Sequence, residues 1–317
     1  MLADRERFRN ASTVHLHIHD KRGVLLVECQ VMSLYTTRTS DLWLPHSYQD
    51  LNDLPSQSII YEPALGGSKV VRTAPGVLIK YRGDLAEEVI CLRYVQEKLS
   101  VRLPRVLHHP GDPTIARLWD PLAEPRPRVW YLCMDEIPGT PLHKVIDTLS
   151  PQQLDHIASQ LKAILSEMHA IKAPHVGSVS GGPFRNQYFY LHSIQPKHAW
   201  TTVDEFIDHF RQLLMSFGTE KYTKELLDKF PRDGPVYFTH GDLVPQNILV
   251  NASTITGIID WSTAGFYPEF WEYCRMYEEA ANFPNWNHVL GVIYPMPCRE
   301  EEISAFHRLR GALEYNL

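Results

Sequence analysis

The chain has few cysteines, no long apolar run and no excess of basic residues. Its five cysteines are widely spaced and form no CxxC pair, so we expect neither a disulfide framework nor a zinc ribbon. The longest apolar runs are about as long as the run at residues 24–27, which is far too short to span a membrane. The formal net charge of -6 argues against a dedicated nucleic-acid-binding protein, which usually carries a strong excess of basic residues.

The charged first ten residues are not followed by the apolar stretch of a secretory signal. Together with the cysteine usage, this predicts a cytoplasmic protein without membrane or nucleic-acid partners. Apolar residues make up 44% of the 317 positions, which is enough for a substantial core. That length predicts one large domain or two modest ones.

Residues 1–57 differ from the rest, and we expect them to be an N-terminal extension with a strand near residues 24–29. Within it, His15, His17 and His19 alternate with apolar residues, so a strand would place three imidazoles on one face. Such a trio could bind a metal, as in a metal hydrolase. No carboxylate or cysteine partner follows at ligand spacing, which favours a simple extension.

Residues 58–137 are predicted to form a small strand-rich lobe. Short β-branched runs bounded by glycine or proline predict strands at residues 58–61, 70–72 and 77–81. The apolar run at residues 129–134 predicts another strand. Between them, the apolar spacing from Leu85 to Leu99 is helical.

Residues 138–317 are predicted to form a larger, mainly helical lobe, with a hinge near residues 135–141. Its clearest helix begins with Ser150 as N-cap, Pro151 as first residue and Gln153 completing a capping box. The fold class is therefore α+β, with strands first and helices after.

The most informative stretch runs from Val236 to Trp261. An apolar strand at residues 236–238 ends in a polar turn that holds His240, Asp242 and Asn247. A second strand at residues 248–250 turns back and delivers Asp260. Because these strand ends are adjacent in a small ribbon, we expect two carboxylates and one carboxamide to cluster.

Oxygen ligands of this kind are those that Mg²⁺ accepts, with nucleotide phosphates filling the remaining positions. One of the two carboxylates would then be left to accept a proton from an attacking hydroxyl. The cluster therefore predicts a site for Mg²⁺ and nucleotide phosphates, with one carboxylate that can take a proton from a hydroxyl.

The pattern HGDLVPQNILV followed by IIDW resembles the aminoglycoside phosphotransferase family, across roughly residues 59–279. The resemblance implies a two-lobed protein-kinase-like fold and transfer of the γ-phosphate of ATP, or of GTP, to a hydroxyl of a small molecule. By this resemblance Asp242 is the catalytic base, and Asn247 and Asp260 are the Mg²⁺ ligands. His240 shapes the loop that carries the base.

The same resemblance assigns nucleotide-binding residues in the small lobe. Lys80 matches the strand lysine that pairs with nucleotide phosphates, and Glu88 matches the helix glutamate that holds this lysine, with Glu87 as the alternative. Residues 134–139, including Asp135 and Ile137, match the hinge that receives adenine through its backbone.

Four departures from the pattern of protein kinases bear on function. The turn at residues 65–69 is not a GxGxxG loop, although the backbone N–H groups of Gly67 and Ser68 could contact a phosphate. Gly241 stands where protein kinases have arginine, and Trp261 follows Asp260. No APE motif follows, which argues against a phosphorylation-switched protein kinase.

The acceptor is left open by the sequence. Glutamates and aromatic residues between positions 269 and 286 predict either an acidic, aromatic pocket for a cationic or polyhydroxylated molecule, or core residues and a solvated helix face. The competing function is a non-catalytic nucleotide-binding pseudokinase module.

Overall fold

The computed structural model describes residues 13–20, 23–30, 42–63, 67–83, 85–111, 129–186, 189, 196–216, 218–278, 282–295 and 299–315, with only the backbone of 13–20, 23–30 and 313–315. The chain divides into two compact units, residues 1–44 and 45–317. The boundaries predicted after residues 57 and 137 stay predictions.

The first unit contains an antiparallel hairpin of β1 (Thr13–Asp20) and β2 (Gly23–Gln30), in which Thr13 pairs with Gln30 and Asp20 with Gly23. The strand predicted at residues 24–29 is therefore confirmed. The three histidines lie on β1, but their side chains fall outside the described part of the chain. The metal site that they would form stays a prediction.

The second unit begins with a strand-rich part. A short helix, α1 (Tyr48–Asn52), precedes an antiparallel sheet with the strand order β3-β4-β5-β7-β6. The strands are β3 (Ile59–Tyr61), β4 (Lys69–Ala74), β5 (Val77–Tyr81), β6 (Val106–His108) and β7 (Tyr131–Asp135). β5 is paired on both sides, which buries Val77, Ile79 and Tyr81.

The helix predicted over residues 85–99 is shorter in the structure, where α2 spans Ala86–Val95. Leu99 still belongs to the buried apolar stripe, because its N–H donates to the carbonyl of Val95 at 3.1 Å and closes a turn after the helix. The buried apolar positions were therefore predicted correctly, whereas the predicted end of the helix at Leu99 was wrong.

The remainder of the second unit is mainly helical. The helices are α3 (Pro151–Ala170), α4 (Val203–Met215), α5 (Glu220–Leu227), α6 (Phe270–Glu278), α7 (Pro284–Ile293) and α8 (Glu300–Tyr315). The capping box of α3 is present: Ser150 Oγ accepts from the N–H of Gln153, whose side chain accepts from the N–H of Ser150. The α+β order predicted from the sequence is thus observed.

Two hydrophobic clusters hold this unit together. The first joins α2 to α3 and to Trp261, so the strand-rich and helical parts share one core. The second is rich in aromatic residues, with Phe206 and Phe210 of α4 packed on Trp271 of α6. Among the helices in the described ranges, none is both long and apolar enough to cross a bilayer.

Two small ribbons carry the polar residues of interest. One consists of β8 (Thr140–Pro141), β10 (Ile248–Asn251) and β11 (Thr254–Ile258), and the other pairs β9 (Val236–Thr239) with β12 (Gly265–Pro268). The turn between β9 and β10 therefore connects the two ribbons. β11 ends at Ile258, so Asp260 follows the returning strand instead of lying on it.

Candidate active site

Lys80 is the centre of a buried cluster of opposite charges. Its Nζ lies 3.0 Å from Glu88 Oε1, 2.8 Å from Glu88 Oε2 and 2.7 Å from Asp260 Oδ1. The three side chains come from β5, α2 and the segment after β11. The structure thus brings together residues that are 180 positions apart in sequence, as the sequence predicted.

The electrostatics of this cluster favour the charged forms of Lys80 and Asp260, whereas burial raises the pKa of Glu88. Burial alone would lower the pKa of Lys80, but attraction to Asp260 and Glu88 outweighs it, so the pKa of the ammonium is raised. Burial would raise the pKa of Asp260, but Lys80 and a 2.6 Å hydrogen bond from Ser262 Oγ lower it by more. Asp260 is therefore ionised at neutral pH. Glu87, the alternative partner, accepts instead from Ser180 Oγ at 2.6 Å.

Asp242 and Asn247 lie in the turn between β9 and β10, and they contact each other directly. Asn247 Nδ2 lies 2.9 Å from both the backbone oxygen and Oδ2 of Asp242. Because the amide nitrogen is engaged there, the amide oxygen of Asn247 remains as the acceptor of this side chain. The carbonyl of Asn247 accepts from the N–H of Ile259 at 3.0 Å, which places Asn247 beside the segment that carries Asp260.

The backbone of this turn is held in conformations that few residues adopt. Gly241 has φ +79°, and a Cβ added there would lie 2.7 Å from the carbonyl oxygen of Thr263. This explains glycine at the position where protein kinases have arginine. Asp260 itself has φ +60°, a strained backbone for a non-glycine residue that is common at functional sites.

His240 is buried and shapes the turn. Its Nδ1 accepts from the N–H of Asp242 at 3.2 Å, so Nε2 carries the proton and donates to the carbonyl of Ile259 at 3.1 Å. Burial lowers the pKa of His240, and the imidazole is therefore neutral. These two bonds join the turn to the Asp260 segment.

Glu272 on α6 supports this turn, a role that the sequence did not predict for it. It is 1% exposed, and its carboxylate accepts from the backbone N–H groups of His240 at 2.6 Å, Gly241 at 3.3 Å and Leu243 at 3.4 Å. Burial raises the pKa of Glu272 to about 7 despite these bonds. Glu272 therefore lies neither in the acidic, aromatic pocket nor on the solvated helix face that the sequence offered as alternatives, because it is a buried support of the Asp242 turn.

Arg275 also lies on α6 and contacts the predicted base. Its Nη2 is 2.6 Å from Asp242 Oδ1, and its Nη1 is 3.1 Å from Glu278 Oε2. Arg310 on α8 lies 2.9 Å from the same oxygen of Glu278. Glu278 is thus paired with two arginines, and Trp286 is buried in the hydrophobic core. Neither residue therefore lines an open pocket. Glu279 lies outside the described residues.

A sequence signal for Glu272 and Arg275 does exist. Both stand in the otherwise apolar and aromatic segment FWEYCRMY, where a buried charge requires a partner. The spacing alone does not say which loop that partner comes from.

The hinge is braced from both sides. The carboxylate of Asp135 accepts from the backbone N–H of Arg105 at 2.5 Å and from its Nε at 3.0 Å. The N–H of Glu136 donates to the carbonyl of Gly76 at 2.9 Å. Ile137, which follows, is buried. The side chain of Asp135 therefore braces Arg105, the residue that leads into β6.

The turn before β4 is described from Gly67 onward. Gly67 has φ +82°, and Ser68 Oγ donates to the carbonyl of Arg82 at 3.1 Å. Because Val70 pairs with Lys80, this turn lies near the end of β5 that carries Lys80.

In the parts of the chain that the structure describes, no group of three His, Cys, Asp or Glu side chains could hold a metal.

Comparison with known proteins gives a consistent result. Residues 62–298 match the family model described as "Phosphotransferase enzyme family", and no curated protein matches the chain by sequence. The structure is similar to aminoglycoside 2'-phosphotransferase-IIIa with GDP, at 14% identity, 83% coverage of this chain, 86% of that chain and a TM-score of 0.57.

Two further solved structures are similar. APH(2'')-Ib with ADP has 14% identity, coverage of 84% and 89%, and a TM-score of 0.54. A streptomycin–ATP complex of APH(2'')-IIa has 13% identity, coverage of 81% and 85%, and a TM-score of 0.52. These likenesses confirm the predicted two-lobed, kinase-like fold.

Proposed function

The chain belongs to the phosphotransferase enzyme family, and from that premise we propose that it transfers the γ-phosphoryl group of a nucleoside triphosphate to a hydroxyl of a small molecule. The observation that carries the proposal is the convergence of Lys80, Glu88 and Asp260 within 3.0 Å contacts. A structural ion pair needs only two members, whereas this cluster joins three separate elements.

The proposed nucleotide site lies along β5 and the hinge. Lys80, kept charged by its two carboxylates, would hold the phosphates, and Glu88 would fix the lysine. The backbone of Asp135 and Ile137 would receive the base, and the N–H groups of Gly67 and Ser68 would approach the phosphates. The similar solved structures hold GDP, ADP or ATP, which supports a purine nucleotide, ATP or GTP.

The donor set fits a magnesium ion. Asp260 is ionised, and the amide of Asn247 presents its oxygen because its nitrogen is bound to Asp242. Two oxygen donors with phosphate oxygens in the remaining positions are what Mg²⁺ accepts. When bound, the ion would neutralise charge that develops on the phosphate oxygens.

In the proposed reaction, Asp242 orients the acceptor hydroxyl and accepts its proton. The hydroxyl oxygen forms a bond to the γ-phosphorus, the bond from that phosphorus to the β–γ bridging oxygen breaks, and its electron pair leaves with the nucleoside diphosphate. The side chain of Asp242 is 19% exposed, so it is accessible to an acceptor while both of its oxygens are held in place.

The test is ADP release from Mg·ATP over a panel of hydroxyl compounds, with nucleotide binding followed by thermal shift. Asp242→Asn should lower turnover by about 10²- to 10⁴-fold, the usual contribution of a general base, while the thermal shift by Mg·ATP is kept. Binding without turnover in the unmodified protein, unchanged by Asp242→Ala, would instead establish a pseudokinase module.

A further inference from the structure

The catalytic turn contains no positive charge of its own. Between His240 and Asn247 the sequence is HGDLVPQN, with no lysine or arginine beside Asp242. A guanidinium from outside the turn lies beside it, because Arg275 of α6 is 2.6 Å from Asp242 Oδ1. The charge of the predicted base is thus balanced by a residue 33 positions later in the chain.

This ion pair is more enclosed than an ordinary surface pair. The side chain of Arg275 is 9% exposed and that of Asp242 is 19% exposed. Surface pairs hold their partners weakly, whereas a short pair in a protected site restricts both side chains. The contact therefore constrains the orientation of the Asp242 carboxylate.

The two oxygens of Asp242 have different partners. Oδ1 is held by Arg275, and Oδ2 by Asn247 Nδ2 at 2.9 Å. Fixing both oxygens restricts the carboxylate to one orientation. A proton acceptor that must meet a hydroxyl in line with a phosphorus benefits from such restriction.

Arg275 is itself held by the neighbouring residues. Its second nitrogen pairs with Glu278, which also pairs with Arg310. The alternating charges Asp242, Arg275, Glu278 and Arg310 connect the catalytic turn to α8. Arg310 pairs with the same glutamate as Arg275, but that pair does not involve Asp242. Substitution of Arg310 is therefore a matched control for substitution of Arg275.

We propose that Arg275 is a positioning residue of the transfer reaction, which orients the carboxylate of Asp242 through their ion pair. The inference rests on the proposed function. It predicts a loss in kcat with the KM for nucleotide unchanged, because Lys80, Glu88 and Asp260 form their contacts independently of Arg275.

The experiment compares Arg275→Met, Arg275→Lys and Arg310→Met in ADP release from Mg·ATP, with the best acceptor of the panel and with water alone. We expect Arg275→Met to lower kcat by about 10- to 100-fold, the loss typical of a misplaced reacting group, with the nucleotide KM within about twofold. Arg275→Lys should recover part of the loss because it keeps the charge without the two-nitrogen fork. Arg310→Met should stay within about twofold of the unmodified protein.

A second measurement does not depend on turnover. In urea unfolding, the midpoint shift caused by Arg275→Met should be smaller in an Asp242→Asn background than in the unmodified protein, because the partner charge is already absent. The inference would be overturned if the midpoint shifts of Arg275→Met and Asp242→Asn were additive. It would also be overturned if Arg275→Met and Arg310→Met lost kcat equally, or if Arg275→Met changed only the nucleotide KM. If Arg275→Met does not fold, Arg275→Lys carries the same comparison. Absence of turnover in the unmodified protein would overturn the proposed function as well.

Discussion

The buried carboxylate of Glu272 should make the stability of this protein depend on pH. Replacing it by Gln keeps one oxygen for the short bond from the N–H of His240 and removes the ionisable group. The substitution therefore removes the titrating group while it keeps the shortest of the three hydrogen bonds.

The magnitude follows from the pKa of Glu272, which burial raises from 4.5 to about 7. At 1.36 kcal/mol per pKa unit, this corresponds to about 3 kcal/mol. Because the folded protein holds the proton more tightly than the unfolded chain, this contribution is fully present below pH 4.5 and is lost as the pH rises through 7. Most of the loss falls between pH 5 and 8.

The assay is urea unfolding followed by tryptophan fluorescence, since Trp261, Trp271 and Trp286 are buried. The free energy of unfolding of Glu272→Gln, minus that of the unmodified protein, should rise by about 2–3 kcal/mol from pH 5 to pH 8. Glu205→Gln is the control: hydrogen bonds from Thr201 lower the pKa of Glu205, so its difference should be flat over this range. A flat difference for Glu272→Gln would refute the reasoning.

Two further substitutions test the site. Asp260→Ala should weaken binding of Mg·ATP at least about tenfold in a magnesium titration, because substitution of residues that only support metal ligands already lowers metal affinity 10- to 100-fold. Unchanged affinity would contradict the assignment of Asp260 as a ligand. Gly241→Ala should lower the free energy of unfolding by about 2 kcal/mol or more, because the positive φ disfavours alanine and its Cβ would lie 2.7 Å from Thr263 O. Gly76→Ala is the control and should cost less, because φ is also positive there but no atom lies within 4 Å of the added Cβ. Equal losses in the two variants would show that the close contact is unimportant.

Local chemistry explains which parts of the structure could be predicted from the sequence. The capping box at Ser150 and the strand at Val77–Tyr81 depend on adjacent residues, and both were predicted with the correct bounds. The contact between Lys80 and Asp260 could be predicted only through the family resemblance, because nothing local links positions 180 residues apart. The assigned roles at the site, the cytoplasmic location and the absence of nucleic-acid partners stay predictions.

The support of the catalytic turn could not be predicted in this way. Glu272 was assigned with other acidic residues because a single sequence shows the charge and not its depth in the fold. The pairing of β9 with β12, across the intervening β10 and β11 ribbon, is likewise non-local. It depends on tertiary packing that the strand pattern leaves open.

The position of α6 has a consequence for how this protein can vary. Glu272 and Arg275 are three residues apart, so a slip of the helix by one residue would rotate both away from the turn together. That register is set on the other side by Trp271, packed against Phe206 and Phe306. We therefore expect exchanges among these aromatic residues to shift the contacts of Glu272 and Arg275 with the Asp242 turn, even in a variant that remains folded.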